Sequence, residues 1–89
     1  MVEREITITN KLGLHARASA KLVQLLSGFR CEAFLLRNGR EVNAKSIMGV
    51  LLLAAGVGST VTLRMQGEDE AAALDAAVAL FARNFDEGG

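Results

Sequence analysis

His15 is the only histidine in the chain, and its neighbours make it the strongest candidate for chemistry. It follows Gly13-Leu14 and directly precedes a stretch whose pattern predicts a helix. The first four N–H groups of a helix have no partner within it, and they carry the positive end of its dipole. An anion beside them is stabilised. Neutral imidazole is a nucleophile. A histidine at this point can therefore accept a phosphoryl group whose oxygens fall on the backbone N–H groups of Ala16 and Arg17. Arg17 adds a positive charge, and Gly13 keeps the approach uncrowded. A lone histidine before a helix can equally be a cap or an ordinary surface residue, so its position alone leaves both readings open.

The second candidate is Ser46 with the run that follows it. Serine is a preferred N-cap, which by itself accounts for Ser46. The segment from Ile47 to Ala55 is apolar all round. One helix in so small a protein cannot bury every face, so part of it is expected to stay outward as a surface for partners. Val50 and Leu53, or their neighbours, are expected in the core.

The elements that position these residues follow from periodicity. Residues 6–9 alternate apolar and polar, which predicts a half-buried strand. Residues 10–14 form a loop, and a helix spans 16–27 with Leu22, Leu25, Leu26 and Phe29 on one face. A strand over 31–37 meets Asn38-Gly39, the dipeptide of a type I′ hairpin turn, and returns over 40–43. A short helix over 47–55 and a strand over 59–66 follow. A last helix spans 69–84, with Ala71, Leu74, Val78, Phe81 and Phe85 as its apolar stripe. Asp86-Glu87 reads as a frayed acidic tail. The order β-α-β-β-α-β-α predicts an α+β open-faced sandwich: a four-stranded antiparallel sheet with three helices on one face.

Composition narrows the function. A length of 89 residues suits one domain spanning 1–89. With 51% hydrophobic residues but neither Trp nor Tyr, the core must be mainly aliphatic. Lys and Arg balance Asp and Glu at ten each, which argues against a general nucleic-acid binder. The halves differ, however. Residues 1–45 hold eight basic and four acidic residues, and 46–89 hold two and six. That leaves room for a local basic patch facing an acidic protein or a phosphate. One Cys and one His cannot build a Cys/His metal site, and neither a metal nor a cofactor is expected. The longest apolar run has 11 residues, against roughly 20 for a membrane span. A cytoplasmic monomer that does not enter the membrane is the expectation.

The stretch Asn10-Lys11-Leu12-Gly13-Leu14-His15-Ala16-Arg17 resembles the active-site motif of HPr, the histidine phosphocarrier family of the bacterial sugar phosphotransferase system. A second block, Asn43-Ala44-Lys45-Ser46-Ile47-Met48-Gly49-Val50, resembles the regulatory serine region of the same family. The resemblance covers essentially the whole chain. It implies that His15 takes phosphate from Enzyme I, through Nδ1, and passes it to the A components of sugar permeases. It implies that Arg17 is the arginine beside the phosphate, and that Ser46 matches the serine modified by a dedicated HPr kinase/phosphorylase in many bacteria. It further implies partner docking through Ile47, Met48 and Leu51. Such a protein is a relay without a substrate pocket of its own. One departure is Ala18, where the family usually has proline. A nitrogen-related or purely regulatory relay is an alternative, since Ala79-Leu80-Phe81 and Phe85-Asp86-Glu87 resemble the nitrogen-type paralogue. A small binding module with an inert surface histidine is a third reading.

Overall fold

The computed structural model describes residues 1–87. Its elements are β1 (Val2–Thr7), α1 (Ala16–Leu26), β2 (Glu32–Arg37), β3 (Arg40–Asn43), α2 (Ile47–Leu52), β4 (Thr60–Gln66) and α3 (Glu70–Ala82), followed by a 3-10 turn at Asn84–Asp86. The strands form one antiparallel sheet in the order β1-β4-β2-β3. Side chains on a strand alternate between faces, so β4 turns Val61, Leu63 and Met65 inward while Thr62 and Arg64 stay on the open side. Leu63 pairs with Leu35 of β2, and Val61 with Ile6 of β1. Leu22 and Leu26 of α1 and Leu74, Ala77, Leu80 and Phe81 of α3 join these strand residues in one core. The open-faced sandwich expected from the apolar pattern is therefore the fold. On the open face Arg64 bonds Glu3 at 2.5 Å and Glu41 at 2.8 Å. Such exposed pairs contribute about 0–1 kcal/mol each.

The hairpin forms as its dipeptide predicts. Asn38 and Gly39 have φ of 51° and 79°, the positive pair that a type I′ turn requires.

Three elements differ from the periodic reading. Strand β1 starts at Val2, because Glu3, Arg4 and Glu5 lie on an edge strand where charged side chains reach water. Helix α2 stops at Leu52 instead of Ala55. Arg40 Nη1 donates to Leu52 O at 2.9 Å and Arg37 Nη1 to Leu53 O at 3.3 Å, and Ala54 then turns left-handed at φ 53°. Cations that bond the last carbonyls suit a helix C-terminus. Helix α3 ends at Ala82, and Ala71 is exposed; the inward stripe runs through Ala73, Leu74, Ala77, Leu80 and Phe81. At the ends of α1, β2 and β4 the bounds differ by one residue, as fraying allows.

Candidate functional site

His15 is the N-cap of α1. Its backbone is extended, its Nδ1 accepts the Arg17 N–H at 3.3 Å, and the first helical bond runs from Ser19 N–H to His15 O at 2.9 Å. The loop before it is closed by its own groups. Asn10 is buried and donates from Nδ2 to Gly13 O at 2.8 Å, while Gly13 N–H returns to Asn10 O at 3.1 Å. Leu14 N–H bonds Ala55 O at 2.9 Å, and Ser19 Oγ donates to Leu14 O at 3.1 Å. Gly13 has φ +64°, and a Cβ on it would fall 2.6 Å from Ala55 O and 2.7 Å from Gly56 Cα. Only glycine fits this approach, so its role exceeds the open access expected of it. The loop carrying His15 thus rests on the chain that leaves α2.

The other ring nitrogen meets a residue that the sequence reading assigns to a frayed tail. Glu87 Oε2 lies 2.6 Å from His15 Nε2 and also accepts from Asn10 Nδ2 at 3.2 Å. The Glu87 side chain is 13% exposed and that of His15 27%. The hydrogen bond from His15 holds the Glu87 carboxyl below the usual carboxylate range against the opposing pull of burial; Asn10 and the charge of Lys21 act the same way as His15. An ionised carboxylate only accepts, so Nε2 carries the proton; a backbone N–H only donates, so Nδ1 keeps its lone pair. Together the two contacts define the tautomer.

The tail reaches this point through a turn of unusual hand. Asn84, Phe85 and Asp86 have φ of 54°, 56° and 59°. Left-handed backbone costs most L-residues roughly 1–2 kcal/mol but is tolerated by Asn and Asp, so the strain centres on Phe85. Phe85 is fully buried, with its ring 4.8 Å from that of Phe81 at an interplanar angle of 67°. Lys21 Nζ donates to Phe85 O at 2.6 Å, and Thr9 Oγ1 donates to Asn84 Oδ1 at 2.6 Å. These contacts offset the strain and carry the chain back over the end of α1. Phe85 is therefore core, as its apolar character predicts, but it belongs to this turn and not to α3.

Ala16 and Arg17 are exposed at the start of α1. The Arg17 guanidinium forms no ion pair among the described residues. Ala18 is fully buried in the first turn, ahead of the first intrahelical bond. A residue without an N–H is tolerated at such a position, and alanine preserves the turn.

Ser46 caps α2, its Oγ accepting from Gly49 N–H at 3.2 Å. Of the apolar residues that follow, Val50 and Leu53 are core, Ile47 is exposed, and Leu51 is only half-exposed. Met48 and Leu52 are the most outward, at 66% and 61%. On this helix, Leu52 is the outward residue that sequence reasoning missed, as Glu87 is beside His15. In a helix this short and apolar throughout, periodicity cannot tell the two leucines apart. Leu12 and Val57 are also exposed, on either side of the contact between Gly13 and the Ala55-Gly56 backbone. An apolar surface therefore borders the histidine loop. Among the described residues no cluster of three His, Cys, Asp or Glu could hold a metal ion, and no helix is long and apolar enough to cross a membrane.

The structure thus combines a histidine N-cap with outward apolar side chains on an open-faced sandwich. The family model described as the PTS HPr component phosphorylation site matches residues 2–83, and the chain belongs to this HPr phosphocarrier family of the phosphotransferase system. It is 61% identical over 88 residues to the phosphocarrier protein HPr of Cupriavidus necator, covering 99% of each chain. It is 48% identical over 86 residues to the phosphocarrier protein NPr of Shewanella violacea, covering 97% of this chain and 94% of that one. Among solved structures, HPr from Thermoanaerobacter tengcongensis superimposes with a TM-score of 0.96 at 42% identity over the whole of both chains.

Proposed function

We propose that His15 accepts a phosphoryl group on Nδ1 from Enzyme I and passes it to the A components of sugar permeases. The observation that carries this reading is the orientation of Nδ1. Its lone pair is the one facing the N-terminus of α1, where oxygens of a transferred phosphoryl group would meet the N–H groups of Ala16 and Arg17. In the transfer, that lone pair forms the bond to phosphorus. The bond from phosphorus to the donor's leaving group breaks, and its electrons depart with that group. The Arg17 N–H leaves Nδ1 and turns to a phosphoryl oxygen, while the Arg17 guanidinium neutralises charge from outside. Positioning and charge stabilisation are the main requirements of such a step. Partner proteins dock on the exposed apolar surface around Ile47, Met48 and Leu51, which we extend to Leu52. Methionine suits a surface that must fit several partners.

Incubation with phosphoenolpyruvate and Enzyme I tests the reading. The expected product is one acid-labile, alkali-stable phosphate per chain; no label from any Enzyme I would sink it. A nitrogen-related relay is the second reading, favoured by the identity to the Shewanella violacea protein and by the Phe85-Asp86-Glu87 segment. Parallel reactions with the sugar-type and nitrogen-type Enzyme I separate the branches, the faster one naming the partner.

We also propose Ser46 as a regulatory phosphorylation site for an HPr kinase/phosphorylase. It borders the outward residues Ile47 and Met48. Negative charge there must be desolvated on docking and opposes an acidic partner. Ser46→Asp is expected to slow phosphorylation by Enzyme I about tenfold, or ~1.4 kcal/mol. Its urea midpoint should hold, because aspartate caps helices as well as serine does. Equal transfer rates for the variant and the parent would remove Ser46 from the scheme.

A further inference from the structure

We propose that Glu87 is a positioning residue for His15: it holds the proton on Nε2, so that Nδ1 alone meets phosphorus. The inference rests on the reading of His15 as the phosphoryl acceptor. Three features of the geometry carry it. The carboxylate is in direct hydrogen-bond contact with Nε2 and is itself aimed by the buried Asn10. It lies on the ring nitrogen away from the helix, so it does not occupy the position of the incoming phosphoryl group. And it is delivered there by three consecutive left-handed residues, tied down by Phe85, Lys21 and Thr9. Strained backbone of this kind persists only where its surroundings over-determine it, and it is frequent at functional sites.

The chemistry gives Glu87 two effects. Before transfer it orients the ring and leaves the Nδ1 lone pair free. As the bond from Nδ1 to phosphorus forms, the Nε2 proton stays in place and the ring gains positive charge. A carboxylate on Nε2 stabilises that charge without taking the proton, as the buried aspartate of a serine-protease triad does. In the return step the bond from Nδ1 to phosphorus breaks, its electrons go back to Nδ1, and the ring leaves neutral with its proton still on Nε2.

Potassium phosphoramidate is the probe of choice, because it donates a phosphoryl group without docking. The nitrogen–phosphorus bond of the reagent breaks, ammonia departs, and a histidine nitrogen takes the phosphorus. His15 is the only histidine, so all phosphohistidine reports this site. Wild type is expected to be labelled on Nδ1, read by phosphorus and nitrogen NMR. Glu87→Ala should react about tenfold more slowly, the lower end of the roughly 10–100-fold lost when a carboxylate that orients a metal-bound histidine is removed. Its label should divide between Nδ1 and Nε2, and the bonded Nε2–H proton signal of wild type should vanish, with the urea midpoint nearly unchanged. Glu87→Ala labelled on Nδ1 alone at the wild-type rate, or faster than wild type, would overturn the positioning role. A wild-type protein that takes no label would instead refute the acceptor reading itself.

Discussion

His15→Ala is expected to abolish phosphate acceptance while leaving the fold in place. The chain has no second histidine to take over. The side chain is partly exposed and packs no cavity, so its removal costs little burial. What is lost is the Nδ1 cap on Arg17 N–H and the contact with Glu87. A lost N-cap costs about 1 kcal/mol. Glu87 keeps Asn10 as a donor and is not stranded. Urea melts should therefore shift only slightly, while labelling from phosphoenolpyruvate and Enzyme I falls to background. If the variant accepts acid-labile phosphate at the parent level, the central assignment is wrong.

Phe85→Ala is expected to give a large loss of stability and, at the same time, a free C-terminal turn. Phe85 is completely buried and stacks edge-on against Phe81. Truncating a buried phenylalanine costs about 3–5 kcal/mol. Release of the left-handed turn returns part of this, since three residues no longer have to hold positive φ. A net loss of about 3 kcal/mol lowers the melting temperature of a domain this size by roughly 12–24 °C. The contacts from Lys21 to Phe85 O and from Glu87 to His15 should go together, because one turn carries both. Calorimetry checks the first effect, and the Nε2–H signal of His15 the second. A melting temperature within a few degrees of the parent would show that the ring is not a core member.

Much of the molecule was legible because it is local. The alternation of Val61, Leu63 and Met65 reports a half-buried strand wherever the strand is placed. Asn38-Gly39 specifies its turn through positive φ, and Ser46 and His15 mark helix starts through groups two or three residues away. Element order and the one-sided apolar pattern then leave little choice but helices on one face of a sheet. Charge hid the first part of β1, since Glu3, Arg4 and Glu5 suit an edge strand but break the pattern by which its later residues were recognised.

The tertiary structure decided what depends on distant partners. The length of α2 follows from Arg37 and Arg40, which bond its last carbonyls from a neighbouring hairpin. The need for glycine at position 13 comes from the backbone of Ala55 and Gly56. Which leucine of α2 points outward was set by the packing of the core beneath it. Above all, the contact between His15 and Glu87 spans 72 positions. It arises because Phe85 fills the core and forces the chain into a left-handed turn. Asn84 and Asp86 tolerate that conformation, but local propensity runs against it at Phe85, where burial of the ring against Phe81 selects it.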